Sequence, residues 1–428
     1  MKYYSTNRSV EPVTFKDAVI KGLPEDNGLF MPEVIPQLSK EFINDLKKKN
    51  IHEIALEVAL PFVGDDLTKK ELIKIINETL NFDIPVVKVE DNVYSLELFH
   101  GPTCAFKDVG ARFLARCLNH FSDEKVTVLV ASSGDTGSAV ANGFLGLSNV
   151  DVVILYPKGK VSHLQEQQLT TLGQNITALE INGTFDDCQA LVKQAFLDKE
   201  LNDSLKLTSA NSINIARLIP QSFYYFWAMQ QLPLDKKIAF SVPSGNYGNL
   251  TAGLLAKAMG LNISKFIASS NANDIVPQYL NENKYRPKPS QHTISNAMDV
   301  GNPSNFARMT ELYGSSWDKI TKDVAGFSFL DGETKAAMKK VYDNSSYVMD
   351  PHGAVGYLGL KSFLKKNNDH VGVFLETAHP AKFLDTVNEV IGEIEIPERL
   401  KSYLNKTKQS IELDNNYQNL VDFLKSKN

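Results

Sequence analysis

The sequence predicts an α/β fold built on open, mostly parallel sheets, with a mainly helical region ahead of them. Three observations carry that prediction. Short, continuously apolar runs rich in β-branched residues recur from Lys125 onward. Helical patterns lie between most of them. Before Asn92 no such rhythm appears, and turn clusters alternate with helix-type spacing instead. Continuous apolar runs separated by helices are the mark of parallel strands covered on both faces. One open sheet or two can be built from them.

The N-terminal region, residues 1–92, holds the turn clusters Leu23-Pro24-Glu25-Asp26-Asn27-Gly28 and Met31-Pro32. Its helical patterns run from Ile51 to Phe62 and from Lys69 to Leu80, and Pro85 interrupts the pattern near the expected boundary, Phe82 to Asn92. The expected strands are Val126–Ala131, Val150–Tyr156 (ended by Pro157), Ile176–Ile181, Ile238–Val242, Lys265–Ala268 and Val371–Leu375. Helices are expected over Ser138–Leu147, Leu218–Met229 and Leu250–Met259, the last stopped by Gly260. Residues 271–325 are polar and rich in Asn, Pro and Ser, and read as a long functional or mobile loop. The tail after Glu395 reads as a helical, lysine-rich solvated face.

Length and composition narrow the classes. The chain has 428 residues, 43% hydrophobic and 22% charged, which suits a soluble globular protein of two or three domains. Its net charge is −5 and its basic residues are scattered, which points away from nucleic acid. Cys104, Cys117 and Cys188 form no CxxC pair and are odd in number. A disulfide framework or thiolate zinc site is therefore not expected, and a reducing compartment is. The N-terminus lacks a signal peptide's apolar core, and no segment reaches the roughly 18 apolar residues of a membrane span. A cytoplasmic protein with no membrane partner is the expectation. The eight histidines show no HExxH pairing, no calcium loop appears, and no metal is expected. The nucleophile elbow G-x-S-x-G is absent.

One segment stands out, Phe99-His100-Gly101-Pro102-Thr103-Cys104-Ala105-Phe106-Lys107-Asp108. Desolvation lowers a lysine's pKa and frees its amine as a nucleophile and base. That is what a lysine condensing with pyridoxal phosphate (PLP) requires, although a surface lysine with a snorkelling stem has the same local sequence. Ser241-Val242-Pro243-Ser244-Gly245-Asn246-Tyr247-Gly248-Asn249 joins a strand to a helix. Such a turn aims backbone N–H groups and the helix dipole at one anion. A plain βα turn is the alternative. Ser132-Ser133-Gly134-Asp135-Thr136-Gly137 lies at another strand end. Ser133 and Thr136 can donate to a carboxylate and Asp135 can accept from a phenol-type oxygen, or Ser133 and Asp135 simply cap a helix. In Asn211-Ser212-Ile213-Asn214-Ile215-Ala216-Arg217, an arginine entering an apolar stretch seeks an anion or a structural ion pair. Glu376-Thr377-Ala378-His379-Pro380 offers a neutral hydroxyl at Thr377. His379, before a proline, reads as structural.

Taken together, the chain resembles the threonine synthases, PLP enzymes with the tryptophan synthase β-like fold (fold type II). The resemblance runs nearly end to end through DNGLFMP (Asp26 to Pro32), HGPTCAFKD (His100 to Asp108) and SSGDTG (Ser132 to Gly137). It continues through ILYPKGKVS (Ile154 to Ser162), ANSINIAR (Ala210 to Arg217), SVPSGNYGNLTAG (Ser241 to Gly253), SNAMDVGNPSN (Ser295 to Asn305) and ETAHPAKF (Glu376 to Phe383).

That resemblance implies two αβα-type PLP domains beside the N-terminal lid: a larger one from 93–112 and 213–428, and a smaller one from 113–212. It implies that Lys107 bears the cofactor and acts as the catalytic base. It assigns the cofactor phosphate to Ser244, Gly245, Asn246, Tyr247, Gly248 and Asn249, the 3′ oxygen to Asp135 and the pyridine nitrogen to Thr377. The implied substrate is O-phosphohomoserine. Ser133 and Thr136 would meet its carboxylate, and Ser212, Asn214, Arg217 and Lys160 its phosphate. The implied reaction is γ-elimination of phosphate and β-addition of water, giving threonine, by a monomer or weak homo-oligomer. A phospho-lyase of the same fold, giving 2-oxobutyrate, ammonia and phosphate, is the nearest rival. A non-catalytic ligand-binding relative is disfavoured by the intact Lys107 and phosphate loop, and a nucleotide-binding Rossmann protein by the missing GxGxxG.

Overall fold

The structure is a computed structural model that describes all residues except Ser133, Leu234, Asp235 and Asn428, and only the backbone of residue 203. Two sheets organise it. The larger has six strands in the order Val324–Ser328, Lys265–Ser270, Lys237–Pro243, His370–Glu376, Val93–Glu97, Val86–Glu90. All its pairings are parallel except that of Val86–Glu90 with Val93–Glu97. The smaller has five parallel strands in the order Ile411–Asp414, Ile176–Asn182, Val150–Pro157, Val126–Ala131, Leu207–Ser209.

Apolar residues fill both faces of each sheet, as the unbroken runs require. On one face of the larger sheet Phe374, Ile267 and Ala239 pack with Tyr357 and Leu360 of helix Pro351–Leu364. The outer face of the smaller sheet packs Leu129, Val153 and Leu179 against helices Phe185–Leu197 and Tyr417–Ser426. Between the sheets lies one continuous core. Helix Lys107–Phe121 runs through it, with Val109, Phe113, Leu114 and Cys117 buried.

The N-terminal region packs on that core through helices Phe15–Lys21, Ile51–Val63 and Lys69–Thr79. Each begins with a reciprocal capping box: Thr14 with Asp17, Asn50 with Glu53, and Thr68 with Glu71. Such a cap contributes about 1 kcal/mol.

Four expectations need correction. Strand Val86–Glu90 falls within the expected N-terminal region yet belongs to the larger sheet. The C-terminal strand Ile411–Asp414 joins the smaller sheet beside Ile176–Asn182, not the larger unit to which 213–428 was assigned. The expected helix Leu218–Met229 is divided into Ile215–Leu218, a 3-10 turn Ile219–Ser222 and Phe223–Gln231, because Pro220 supplies no N–H donor. The expected loop 271–325 holds helices Ile275–Glu282, Phe306–Glu311 and Trp317–Asp323 and the start of a strand. Its polar residues bond inward. Asp299 accepts from Asn271 Nδ2 at 2.9 Å, Asn273 Nδ2 at 3.1 Å, and Thr293 N and Oγ1 at 3.0 and 2.7 Å.

Candidate active site

Strand ends from both sheets converge on one cavity. It is lined by Lys107, Asp135, Thr136, Ser212, Arg217, Thr377 and the whole turn 243–249. This is where ligands bind in open parallel sheets.

Lys107 opens its helix, and its position is fixed from both sides. Upstream, the Phe106 N–H donates to Thr377 O at 2.8 Å, and Ala105 bridges Ala378. Downstream, the Asp108 carboxylate accepts from Thr103 N at 2.9 Å and Thr103 Oγ1 at 2.7 Å, closing the turn. Gly101 is required there, because a Cβ would meet Asp108 Oδ2 at 2.4 Å. Burial pushes the Lys107 ammonium down to about 8; Asp135 opposes the change, while Arg217 and Lys382 add to it.

The turn after strand Lys237–Pro243 is shaped to hold an anion. Tyr247 adopts the left-handed conformation (φ 60°) and no side chain caps helix Gly248–Ala258. The N–H groups of Gly245, Asn246, Tyr247, Gly248 and Asn249 have no protein partner among the described residues. A Cβ on Gly245 would lie 2.8 Å from Met298 Cα and 3.0 Å from Ala297 O. The side chains brace the loop and leave the anion to the backbone. Asn249 accepts from Ser244 Oγ at 2.7 Å and donates to Pro243 O at 2.9 Å. Asn246 Oδ1 accepts from the Ser304 N–H at 2.9 Å, and the Tyr247 hydroxyl meets Ser270 Oγ at 2.5 Å. Five unpaired donors over a glycine cradle fit a phosphate.

Asp135 begins helix Asp135–Phe144 and is buried. It accepts from Gln165 Nε2 at 3.0 Å and from Lys382 Nζ at 2.6 Å. Burial opposes its ionisation, yet Lys382 and Lys107 together hold it well below the usual carboxylate range. The Thr377 hydroxyl makes no hydrogen bond among the described residues.

Arg217 is 2% exposed and forms no ion pair among the described residues. One of its terminal nitrogens donates to Ala210 O, and its Nε has no partner. Burial pushes the guanidinium down to about 10, with Asp108 opposing. A buried guanidinium without an ion pair on the cavity wall suits an anionic ligand.

Two expected residues are not brought to the cavity. Asn214 is buried and fully used, donating to Val19 O and Ser209 O and accepting from the Ala216 N–H, so it caps a helix. Lys160 is exposed on the turn after strand Val150–Pro157. Ser133 lies outside the described residues.

Other residues at the site escaped the sequence reading. Lys382 lies within the ETAHPAKF segment, but nothing local ties it to Asp135. His352 lines the cavity, with Nδ1 2.6 Å from Asp350 Oδ1 and Nε2 accepting from the Ala297 N–H at 3.2 Å. Arg308 is fully buried and donates to Phe30 O, Ser212 O, Ile213 O and Asn305 Oδ1, joining the N-terminal region to the Ser212 loop. His379 Nδ1 accepts from the Ala381 N–H at 3.1 Å and serves the backbone. Among the described residues, no group of three or more His, Cys, Asp or Glu is arranged to hold a metal ion.

Comparison with known proteins agrees with this geometry. A family described as "Pyridoxal-phosphate dependent enzyme" matches residues 83–375. "Threonine synthase N terminus" matches residues 2–80 and "Threonine synthase, C-terminal" residues 353–424. The chain is similar to the threonine synthase of Haemophilus influenzae, 47% identical over 99% of both chains. It is likewise similar to that of Escherichia coli, 46% identical over 94% of each. Among solved structures, the crystal structure of the Escherichia coli threonine synthase superimposes with a TM-score of 0.95 over the whole of both chains, at 44% identity. A PLP-bound threonine synthase from Brucella melitensis gives 0.92 at 36% identity, over 100% of this chain and 99% of that one.

Proposed function

The chain belongs to the threonine synthase family of PLP-dependent enzymes, and from that premise we propose that it converts O-phosphohomoserine and water into threonine and inorganic phosphate. It is a lyase of fold type II and its cofactor is pyridoxal phosphate. One observation carries the substrate reading. The Lys107 amine, the unpaired N–H groups of residues 245–249 and the buried Arg217 guanidinium all border one cavity. Two phosphates must be held at once, and the chain offers two separate anion sites.

Bound pyridoxal phosphate supplies an electron sink for negative charge developing on the substrate carbons. The N–H groups of Gly245 to Asn249 would hold the cofactor phosphate, and the Thr377 hydroxyl would lie at the pyridine nitrogen. A neutral hydroxyl there would leave that nitrogen unprotonated and so moderate the sink. Asp135, its charge balanced by Lys382, would face the cofactor's 3′ oxygen. Arg217 and Ser212 take the substrate phosphate, and Thr136 takes its carboxylate. Lys107, once free, removes the proton from substrate Cα and then from Cβ; an amine with a pKa of about 8 both accepts and returns protons near neutrality. Phosphate leaves from Cγ, the protons taken from Cα and Cβ are returned to Cα and Cγ, water supplies a hydroxyl to Cβ, and the remaining proton of water goes to the departing phosphate. Residues 296–300 line the cavity, and exclusion of bulk water by that segment would suppress hydrolysis to a ketoacid.

Cytoplasmic residence belongs to the same proposal and is supported by three free, buried thiols. Product analysis from O-phosphohomoserine tests the reading. Threonine and phosphate in equal amounts support it; 2-oxobutyrate and ammonia in place of threonine would make the chain a phospho-lyase.

A further inference from the structure

We propose that Lys382 is a positioning residue for Lys107: its ammonium engages the Asp135 carboxylate and leaves the Lys107 amine outside any ion pair. The inference rests on the reading of Lys107 as the cofactor-bearing lysine.

The geometry is specific. Lys382 lies in the turn Pro380–Phe383, a few residues past Thr377 and the end of strand His370–Glu376, and its side chain is 0% exposed. Among the described residues its Nζ contacts Asp135 Oδ1 at 2.6 Å and Thr103 O at 3.0 Å. Thr103 in turn holds Asp108, so Lys382 grips the loop that presents Lys107. Gln165 fixes Asp135 from the opposite helix. Among the described residues Lys107 has no carboxylate within ion-pair distance, although Asp135 borders the same cavity.

The charges that face Lys107 are Asp135 at the start of one helix, Arg217 on another and Lys382 on the turn. Asp108 is its chain neighbour, and His352 and Asp299 also line the cavity. A buried carboxylate must have a counter-ion. With Lys382 charged, the Asp135–Lys382 pair is neutral, and Lys107 can be uncharged without leaving an orphaned anion. With an apolar residue at 382, Lys107 becomes the nearest amine to Asp135 and is retained as an ammonium, which is no nucleophile.

The test reads the Lys107 amine without the cofactor, on the full-length chain stripped of it. Trace acetic anhydride transfers an acetyl group to an uncharged amine, releasing acetate and a proton. The mass of the Lys107 peptide reports the extent as pH is varied. The wild-type midpoint is expected at about 8. In Lys382→Met it should rise by about one pH unit or more, and in Lys382→Arg it should stay near wild type. Asp135→Asn should lower it, and Lys382→Met/Asp135→Asn should cancel the rise. An unchanged midpoint in Lys382→Met, or a rise that survives in the double variant, overturns the proposal. If Lys382→Met does not fold, Asp135→Asn decides: a midpoint that does not fall overturns it. A wild-type Lys107 that titrates like a surface lysine counts instead against the reading of Lys107 itself.

Discussion

The Phe106 N–H donates to Thr377 O across 2.8 Å. The His379 N–H donates to Cys104 O at 3.0 Å, so two backbone rungs flanking the Ala105–Ala378 bridge join the lysine loop to the segment after strand His370–Glu376. The residue after the donor is Lys107, and the acceptor residue offers its hydroxyl to the same cavity. The residue proposed to bear the cofactor and the residue proposed to meet its ring are thus held in register by the backbone.

Gly245 should not tolerate a side chain. An added Cβ meets backbone atoms of residues 297 and 298 at 3.0 and 2.8 Å, so one of the two segments must move. Overpacking of this kind costs about 1–3 kcal/mol. Gly245→Ala should fold but lose cofactor on dialysis faster than wild type, read from visible absorbance.

Replacing Arg217 should separate binding from chemistry. A charge-assisted contact to the substrate phosphate contributes roughly 2 kcal/mol. Arg217→Ala is expected to raise KM for O-phosphohomoserine by that amount, or about 30-fold, with a smaller change in kcat. An unchanged KM would remove Arg217 from the phosphate site.

Lys107 should also leave a mark on stability in the cofactor-free chain. Its folded pKa, about 8, lies below the ordinary lysine value of 10.5. The unfolded chain therefore binds the extra proton between those values, and the Lys107 contribution to stability rises with pH across that window. Below about pH 8 its destabilising effect is complete. Lys107→Met should be more stable than wild type at pH 7, and the gap should narrow toward pH 10 in urea titrations.

The segment over the cavity should depend on Asn271. Its Nδ2 donates to Thr293 Oγ1 at 2.8 Å, Ser295 Oγ at 3.0 Å and Asp299 Oδ1 at 2.9 Å. Removing it leaves buried acceptors and hydroxyls short of a partner, at about 1–3 kcal/mol each. Asn271→Ala should be cut faster by protease within residues 283–305, with little change in global unfolding.

Which of these features the sequence discloses follows from range. The strands Val126–Ala131 and Lys237–Pro243 are legible because burial on both faces demands an unbroken apolar run. The turn at 244–249 is legible because its glycines and short polar residues follow an apolar strand and precede a helix, the setting of a proposed phosphate loop. Lys382 is not legible, since its meaning depends on Asp135, 247 positions away in the chain. Asn214 misleads for the opposite reason: beside Ser212 and Arg217 it looks like a ligand contact, but its amide is consumed by three backbone bonds. The polar stretch after Asn271 misleads because composition cannot reveal that its amides bond to its own carboxylate, Asp299.

The most direct measurement is the mass of the Lys107 peptide after the purified protein is reduced with borohydride and digested. The peptide should carry the reduced cofactor in nearly every chain, and Lys107→Ala should carry none and show no turnover. An unmodified Lys107 peptide, with the cofactor fixed to another lysine or to none, would contradict the account.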